Sequence, residues 1–208
     1  MLSAKELFEE GLRVYMPVQR AVERGVCTWE SLSKDMVSRV DEAEVYWRAA
    51  SGMGHAVACY NLGLLENVRK DLHGAEAAYR ECLKIDPSST LARYNLGVVL
   101  EKRGDMAGAE KAYRECLKID PSYTNARFNL GLLLEERRDM AGAEKAYREC
   151  LKIDPSYTKA RCNLGLLLEE RGDMAGAEKA YRECLKIDPS DTKARGNLGL
   201  LLQKRGDM

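Results

Sequence analysis

The chain has 208 residues, room for one or two domains with a buried core, and its 45% hydrophobic content is that of an ordinary folded protein. Its 33 basic and 33 acidic side chains cancel, which excludes a global field that would recruit nucleic acid or an anionic membrane. The opening MLSAKELFEEGLRVYMP is acidic and lacks a signal-peptide core, and no run of about 18 apolar residues occurs, so a cytoplasmic or nuclear setting is expected.

In chain order, Ser3 to Arg24 reads as a helix interrupted near Pro17, and Thr28 to Val40 as a second helix. Residues 1–55 are expected to form an N-terminal helical cap or a degenerate repeat, because the ends of a solenoid need a polar outer face. From residue 56 the sequence is periodic. Asp-Pro-Ser returns at Asp86, Asp120, Asp154 and Asp188, at intervals of 34 residues, each time after YRECLKI. The stretch MAGAEKAYRECLKIDPS occurs unchanged from Met106, Met140 and Met174.

Each period predicts two helices, such as Asn125 to Arg137 and Ala141 to Ile153. The joint mostly reads Arg-Gly-Asp, with Gly104, Gly172 or Gly206 suited to a left-handed helix end and the Asp to an N-cap. Lys70 and Arg138 replace that glycine; a left-handed conformation kept there would cost about 1 kcal/mol each, and otherwise looser or differently shaped joints are expected. Pro87, Pro121, Pro155 and Pro189 end the second helix, and the Ser or Thr that follows should cap the next. In the second helix Ala143, Ala146, Tyr147, Cys150 and Ile153 form an apolar stripe, with Glu144–Arg148 and Lys145–Glu149 on the solvated side.

These residues resemble the tetratricopeptide repeat pattern: Leu130-Gly131, Ala143, Tyr147, Cys150 and Pro155, repeated at Leu96-Gly97, Ala109, Tyr113, Cys116 and Pro121. Arg93, Arg127, Arg161 and Arg195 depart from it, standing where the family often has Trp, and Ala43 to Leu65 looks more like the Sel-type relatives. The resemblance implies an all-α, right-handed solenoid of antiparallel helix pairs. Its units would be 56–89, 90–123, 124–157 and 158–191, with a half unit at 192–208. Met208 is in register with Met106, Met140 and Met174, where another second helix would begin. The array is therefore expected to continue beyond it, and partly uncovered Leu198 and Leu201 to favour end-to-end association of copies.

On a first helix, Ala126, Leu130, Leu133 and Leu134 form a packing stripe, while Asn125, Phe128, Asn129, Leu132, Glu135 and Glu136 form an outward one. In the resembled family the outward stripe lines a concave groove for peptides. Between 106–139 and 140–173 the differences are Asn125 against Lys159, Phe128 against Cys162 and Arg138 against Gly172. The copy at 174–207 changes Tyr157 to Asp191, Cys162 to Gly196, Glu169 to Gln203 and Glu170 to Lys204. Most of these changes fall on the outward stripe, and the second helices do not change. Exposed positions drift, but the second-helix surface is exposed too.

A constant column, Asn61, Asn95, Asn129, Asn163 and Asn197, offers donors and acceptors for the backbone of an extended peptide, or for hydrogen bonds between repeats. Beside it run Tyr60, Tyr94, Phe128 and Cys162, and Lys159 and Lys193 make the later units more basic. The heat-shock-chaperone clamp that the family uses on terminal carboxylates is matched only in part. No cofactor, no metal and no catalytic nucleophile–base pair is expected: only His55 and His73 occur, and Cys82, Cys116, Cys150 and Cys184 read as small packing residues of the repeat rather than a disulfide framework. The expected function is a scaffold, not an enzyme, that docks a peptide segment of another protein. The alternatives are the substrate-docking part of a larger enzyme and RNA reading by helical repeats, which zero net charge disfavours.

Overall fold

The computed structural model describes residues 1–206, so Met208 and the register it continues lie outside the described residues. Those residues are helical throughout apart from turns and short links, with no strand among them. Two compact units are distinguished, Met1–Ala112 and Tyr113–Met208. In the first, α1 (Ala4–Glu23) packs on α2 (Lys34–Gly52), α2 on α3 (Ala56–Val68), α3 on α4 (Leu72–Ile85) and α4 on α5 (Thr90–Lys102), with a 3-10 turn at Trp29–Ser31. α6 (Met106–Ile119) contains the boundary. In the second, α7 (Thr124–Glu136) pairs with α8 (Met140–Ile153), α9 (Thr158–Glu170) with α10 (Met174–Ile187), and α11 (Thr192–Arg205) lies against α10 and α9. Very short joints return each chain direction, so the pairs are antiparallel, as the periodicity requires.

The joints explain much of the constant sequence. After α3, α5, α7 and α9 the amides of Asp71, Asp105, Asp139 and Asp173 reach back to the carbonyls of Glu66, Leu100, Leu134 and Leu168 at 2.8–2.9 Å. The residue before each Asp has positive φ: Lys70 65°, Gly104 85°, Arg138 64° and Gly172 83°. Lys70 and Arg138 therefore keep the left-handed geometry and its hydrogen bond, the first of the two alternatives, and the joints are not differently shaped. Two packed helices over-determine the turn and hold a side chain where glycine fits better. Arg138→Gly should raise the stability of its unit by roughly 0.5–1 kcal/mol, seen as a higher urea midpoint; a lower midpoint would contradict it. Each Asp then caps the next helix, as Asp139 Oδ1 does in accepting from Gly142 N at 2.9 Å.

The expectation that a Ser or Thr after the Pro caps the next helix holds at Ser89 and is corrected at the other turns between units. Ser88, Ser122, Ser156 and Ser190 donate their hydroxyls to Asp86, Asp120, Asp154 and Asp188 at 2.6 Å, so they close the turn and do not cap the next helix. The N-caps are Ser89, Tyr123, Tyr157 and Asp191; Ser89 and Asp191 supply a side-chain acceptor, whereas Tyr123 and Tyr157 supply none. The arginines that depart from the family pattern serve this same turn. Arg93, Arg127, Arg161 and Arg195 donate to the carbonyls of Pro87, Pro121, Pro155 and Pro189 at 2.5–2.6 Å, and Arg127 and Arg161 also pair with Glu149 and Glu183. Glu149 thus meets Arg127 of the first helix.

The core is a repeated contact between glycine and an aromatic ring. Tyr79, Tyr147 and Tyr181 are fully buried, and a Cβ at Gly63, Gly131 or Gly165 would lie 2.4–2.5 Å from the Cε1 of the facing ring. Only glycine admits the ring so close to the first-helix backbone, which is why Leu-Gly recurs. Ala143, Ala146 and Cys150 complete the stripe, but Ile153 at the helix end is exposed. In the N-terminal hairpin, a Cβ at Gly11 would lie 2.4 Å from Trp47 Nε1, the same contact made by a larger ring.

The N-terminal helices differ from expectation. α1 runs unbroken through Pro17, because Val14 and Val18 are buried on either side while Pro17 faces solvent, where water can meet the carbonyl its missing N–H leaves free. The segment from Thr28 to Val40 is split into the 3-10 turn and the start of α2, which extends to Gly52.

Candidate functional site

The first helices carry most of the varying positions. In Tyr113–Met208, Asn125, Lys159 and Lys193 are exposed, and in Met1–Ala112 the equivalent positions are Val57 and Leu91, also exposed. These two apolar residues were not singled out from the sequence, although the 34-residue register assigns them to that column. In the column of Leu132, that residue is half-buried, but Leu166 and Leu200 are exposed.

Tyr60 and Tyr94 are half-buried. Phe128 and Cys162, expected in the outward stripe, are buried at 9% and 8% exposure, and that expectation is corrected. Phe128 is covered by Tyr157, whose ring lies 5.3 Å away, and packs on Tyr147 at 6.0 Å. Tyr157 then donates its hydroxyl to Asn125 Oδ1 at 2.9 Å, bridging two repeats.

The asparagine column is half-buried throughout, and Asn95, Asn129 and Asn163 bond between repeats. Asn95 donates to the Tyr60 hydroxyl at 3.2 Å and to the Leu91 carbonyl at 3.0 Å. Asn129 donates to the Tyr113 hydroxyl at 3.4 Å, and Asn163 hydrogen-bonds the Tyr147 hydroxyl. At these three positions the asparagine takes the second of the two roles left open, a hydrogen bond between repeats. Tyr147 and Tyr181 in turn donate to Glu135 and Glu169, at 2.7 and 3.1 Å. Burial, reinforced by those carboxylates, pushes both phenols far up, so they remain protonated donors.

The cysteines also need correction at one position. Cys162 on α9 and Cys184 on α10 are joined as a disulfide, with Cα atoms 6.5 Å apart. In the preceding repeat the position equivalent to Cys162 holds Phe128, so Cys150 has no such partner and remains free. Burial pushes the Cys150 thiol up to about 11 and also raises Cys82. The column is therefore packing sulfur everywhere except at Cys184.

A cleft of about 320 Å³ in Met1–Ala112 is lined by Trp29, Leu32, Val37, Val40 and Leu65, with Arg69 at its edge held by Asp41 and Glu44. His55 accepts from Ala58 N at 3.2 Å to cap α3 and stacks on Phe8 at 4.5 Å, a structural use of the ring. On α11, Leu200 is 58% exposed beside Gly196 and Gly199, around which space is open; of the two leucines expected to be partly uncovered, Leu198 is half-buried and Leu201 is fully buried. No helix among the described residues is long and apolar enough to cross a membrane.

Tetratricopeptide repeat models match residues 56–89, 90–123, 118–158 and 128–192. No curated protein matches the chain by sequence. Among solved structures, a tetratricopeptide repeat protein from Parabacteroides merdae ATCC 43184 aligns with TM-score 0.72 and 20% identity, over 96% of this chain and 74% of that one. The crystal structure of MamA protein aligns with TM-score 0.67 and 23% identity, over 73% and 82%. YrrB, described as a TPR protein with an unusual peptide-binding site, aligns with TM-score 0.67 and 17% identity, over 91% and 96%. At such identities these likenesses establish the fold.

Proposed function

Because the chain belongs to the tetratricopeptide repeat family, we propose that it is a non-enzymatic interaction scaffold whose first helices receive a peptide segment of a partner protein. One observation carries this reading: in near-identical repeats, change is concentrated on the first helices, while the solvated second-helix surface is constant. Similarity to a described peptide-binding protein of the same fold is consistent with it.

The chemistry of the face sets the ligand class. Met1–Ala112 offers Val57 and Leu91 beside Tyr60 and Tyr94, a surface for apolar side chains. Tyr113–Met208 offers Lys159 and Lys193, a surface for acidic ones. Asparagine contributes less to a ligand than its ladder implied: both amide hydrogens of Asn95 are taken, which leaves Oδ1 to meet a peptide N–H. We also read α1 and α2 as a degenerate unit, on the strength of the Gly11–Trp47 contact.

The test is an array of peptides combining apolar and acidic segments, probed with the full chain and with Lys159→Glu combined with Lys193→Glu. Both lysines are exposed, so folding should be preserved. Captured acidic peptides are expected to bind the variant about tenfold more weakly at low salt, with the gap closing as salt rises. Equal affinity for both proteins would refute the assignment.

A further inference from the structure

One place in Tyr113–Met208 departs from the repeat in a chemically coherent way. Phe128 and Tyr157 are rings in contact, 5.3 Å apart. One repeat later the same two positions hold Cys162 and Asp191, again in contact, with Cys162 Sγ 3.8 Å from Asp191 Oδ2. An aromatic pair has been exchanged for a sulfur–carboxylate pair, and the exchange occurs beside Cys184, a constant residue of the repeat. The Sγ atoms of Cys162 and Cys184 and a carboxylate oxygen of Asp191 all lie within 4.8 Å of one another.

Both sulfurs are buried and the carboxylate is half-buried. Asp191 Oδ1 accepts from Ala194 N at 2.9 Å as the N-cap of α11, which orients the other oxygen. Two thiolates and a carboxylate converging from α9, α10 and the start of α11 are a donor set for a borderline-soft divalent ion, with a fourth position open. Where thiols are kept reduced, close cysteine pairs are more often metal-binding or catalytic than structural.

We propose that, once its disulfide is reduced, the trio Cys162, Cys184 and Asp191 binds a thiophilic divalent cation of the zinc class. Reduction by a dithiol breaks the Cys162–Cys184 bond: two electrons and two protons pass from the dithiol, which closes to its own disulfide, and two cysteine thiols result. Binding the cation releases those two protons. The disulfide links α9 to α10 alone, whereas the bound ion also holds the N-terminus of α11.

The full chain, reduced and freed of metal and excess reductant, is titrated with cobalt(II), with the thiolate-to-cobalt charge-transfer absorption as readout. One equivalent should produce the band, and zinc should abolish it. Cys162→Phe combined with Asp191→Tyr restores the aromatic pair of the preceding repeat and should fold, as circular dichroism will show, yet lose the band. Cys162→Gly, which installs the residue found at Gly196, serves if the double variant does not fold. Asp191→Asn keeps a capping oxygen and should weaken binding by roughly tenfold or more. No band from the reduced protein, or an undiminished band in the folded variant lacking Cys162, overturns the proposal.

Discussion

Tyr147→Ala is expected to destabilise the Tyr113–Met208 unit by about 3–5 kcal/mol, the range for removing a large buried ring. The ring is fully buried and lies so close to Gly131 that no side chain fits between them. It also touches Phe128, and its hydroxyl joins Glu135 and Asn163. Alanine would leave a cavity between two helix backbones that meet at this contact, and neither can close it without breaking the joint at Arg138-Asp139. Tyr147→Phe keeps the ring and removes only the hydroxyl bonds; Glu135 is half-exposed and water can replace its partner, so about 1 kcal/mol should be lost. Gly131→Ala tests the same contact from the other side, with overpacking of about 1–3 kcal/mol set against better helix propensity. Urea denaturation of the three variants should rank Tyr147→Ala as by far the worst. A loss below about 1 kcal/mol in that variant would show that the ring does not hold the hairpin together.

The second helices were legible in the sequence because one stripe, Ala143, Ala146, Tyr147 and Cys150, is buried by its own hairpin, and spacing alone defines it. The first helices touch neighbours on two sides, so residues at the edge of the stripe were misplaced. Phe128 shares a helical face with Asn129 but is covered by Tyr157, a residue 29 positions away by sequence number. Nothing in a helical wheel reports that lid. The asparagine column was found by its constancy, yet its bonds to Tyr60, Tyr113 and Tyr147 depend on where the neighbouring repeat places each ring. Cys162 was visible as an exception, and its partner could have been found by asking which second-helix position faces that column. Pro17 implies an interruption of the helix by rule, but the buried valines on either side outweigh one lost hydrogen bond.

Trp47→Ala should cost the Met1–Ala112 unit about 3–5 kcal/mol and release α1 from α2. Trp47 is 1% exposed and packs with Ala43, Ala50, Ala58 and Leu62, against Leu7, Phe8, Leu12 and Tyr15 of α1. Tyr15 meets its ring edge-on at 5.0 Å, and Gly11 allows the indole to touch the α1 backbone. One ring therefore joins the N-terminal hairpin to α3, and its loss should be felt in both. The indole N–H is buried without a hydrogen-bond partner, which makes the substitution series informative. Trp47→Phe removes that orphan donor while keeping an aromatic ring, so its cost should be well below that of alanine, about 1–2 kcal/mol. Urea denaturation gives the free energies, and amide hydrogen exchange shows where they act: in Trp47→Ala the amides of α1 should lose protection before those of α4. Protection lost evenly across the unit would mean that the hairpin and the repeats behind it unfold as one; unchanged protection in α1 would mean that Leu7, Phe8 and Leu12 suffice to hold it. Only preferential loss in α1 fits a hairpin that repeats the glycine–ring contact of the later units with a single larger ring.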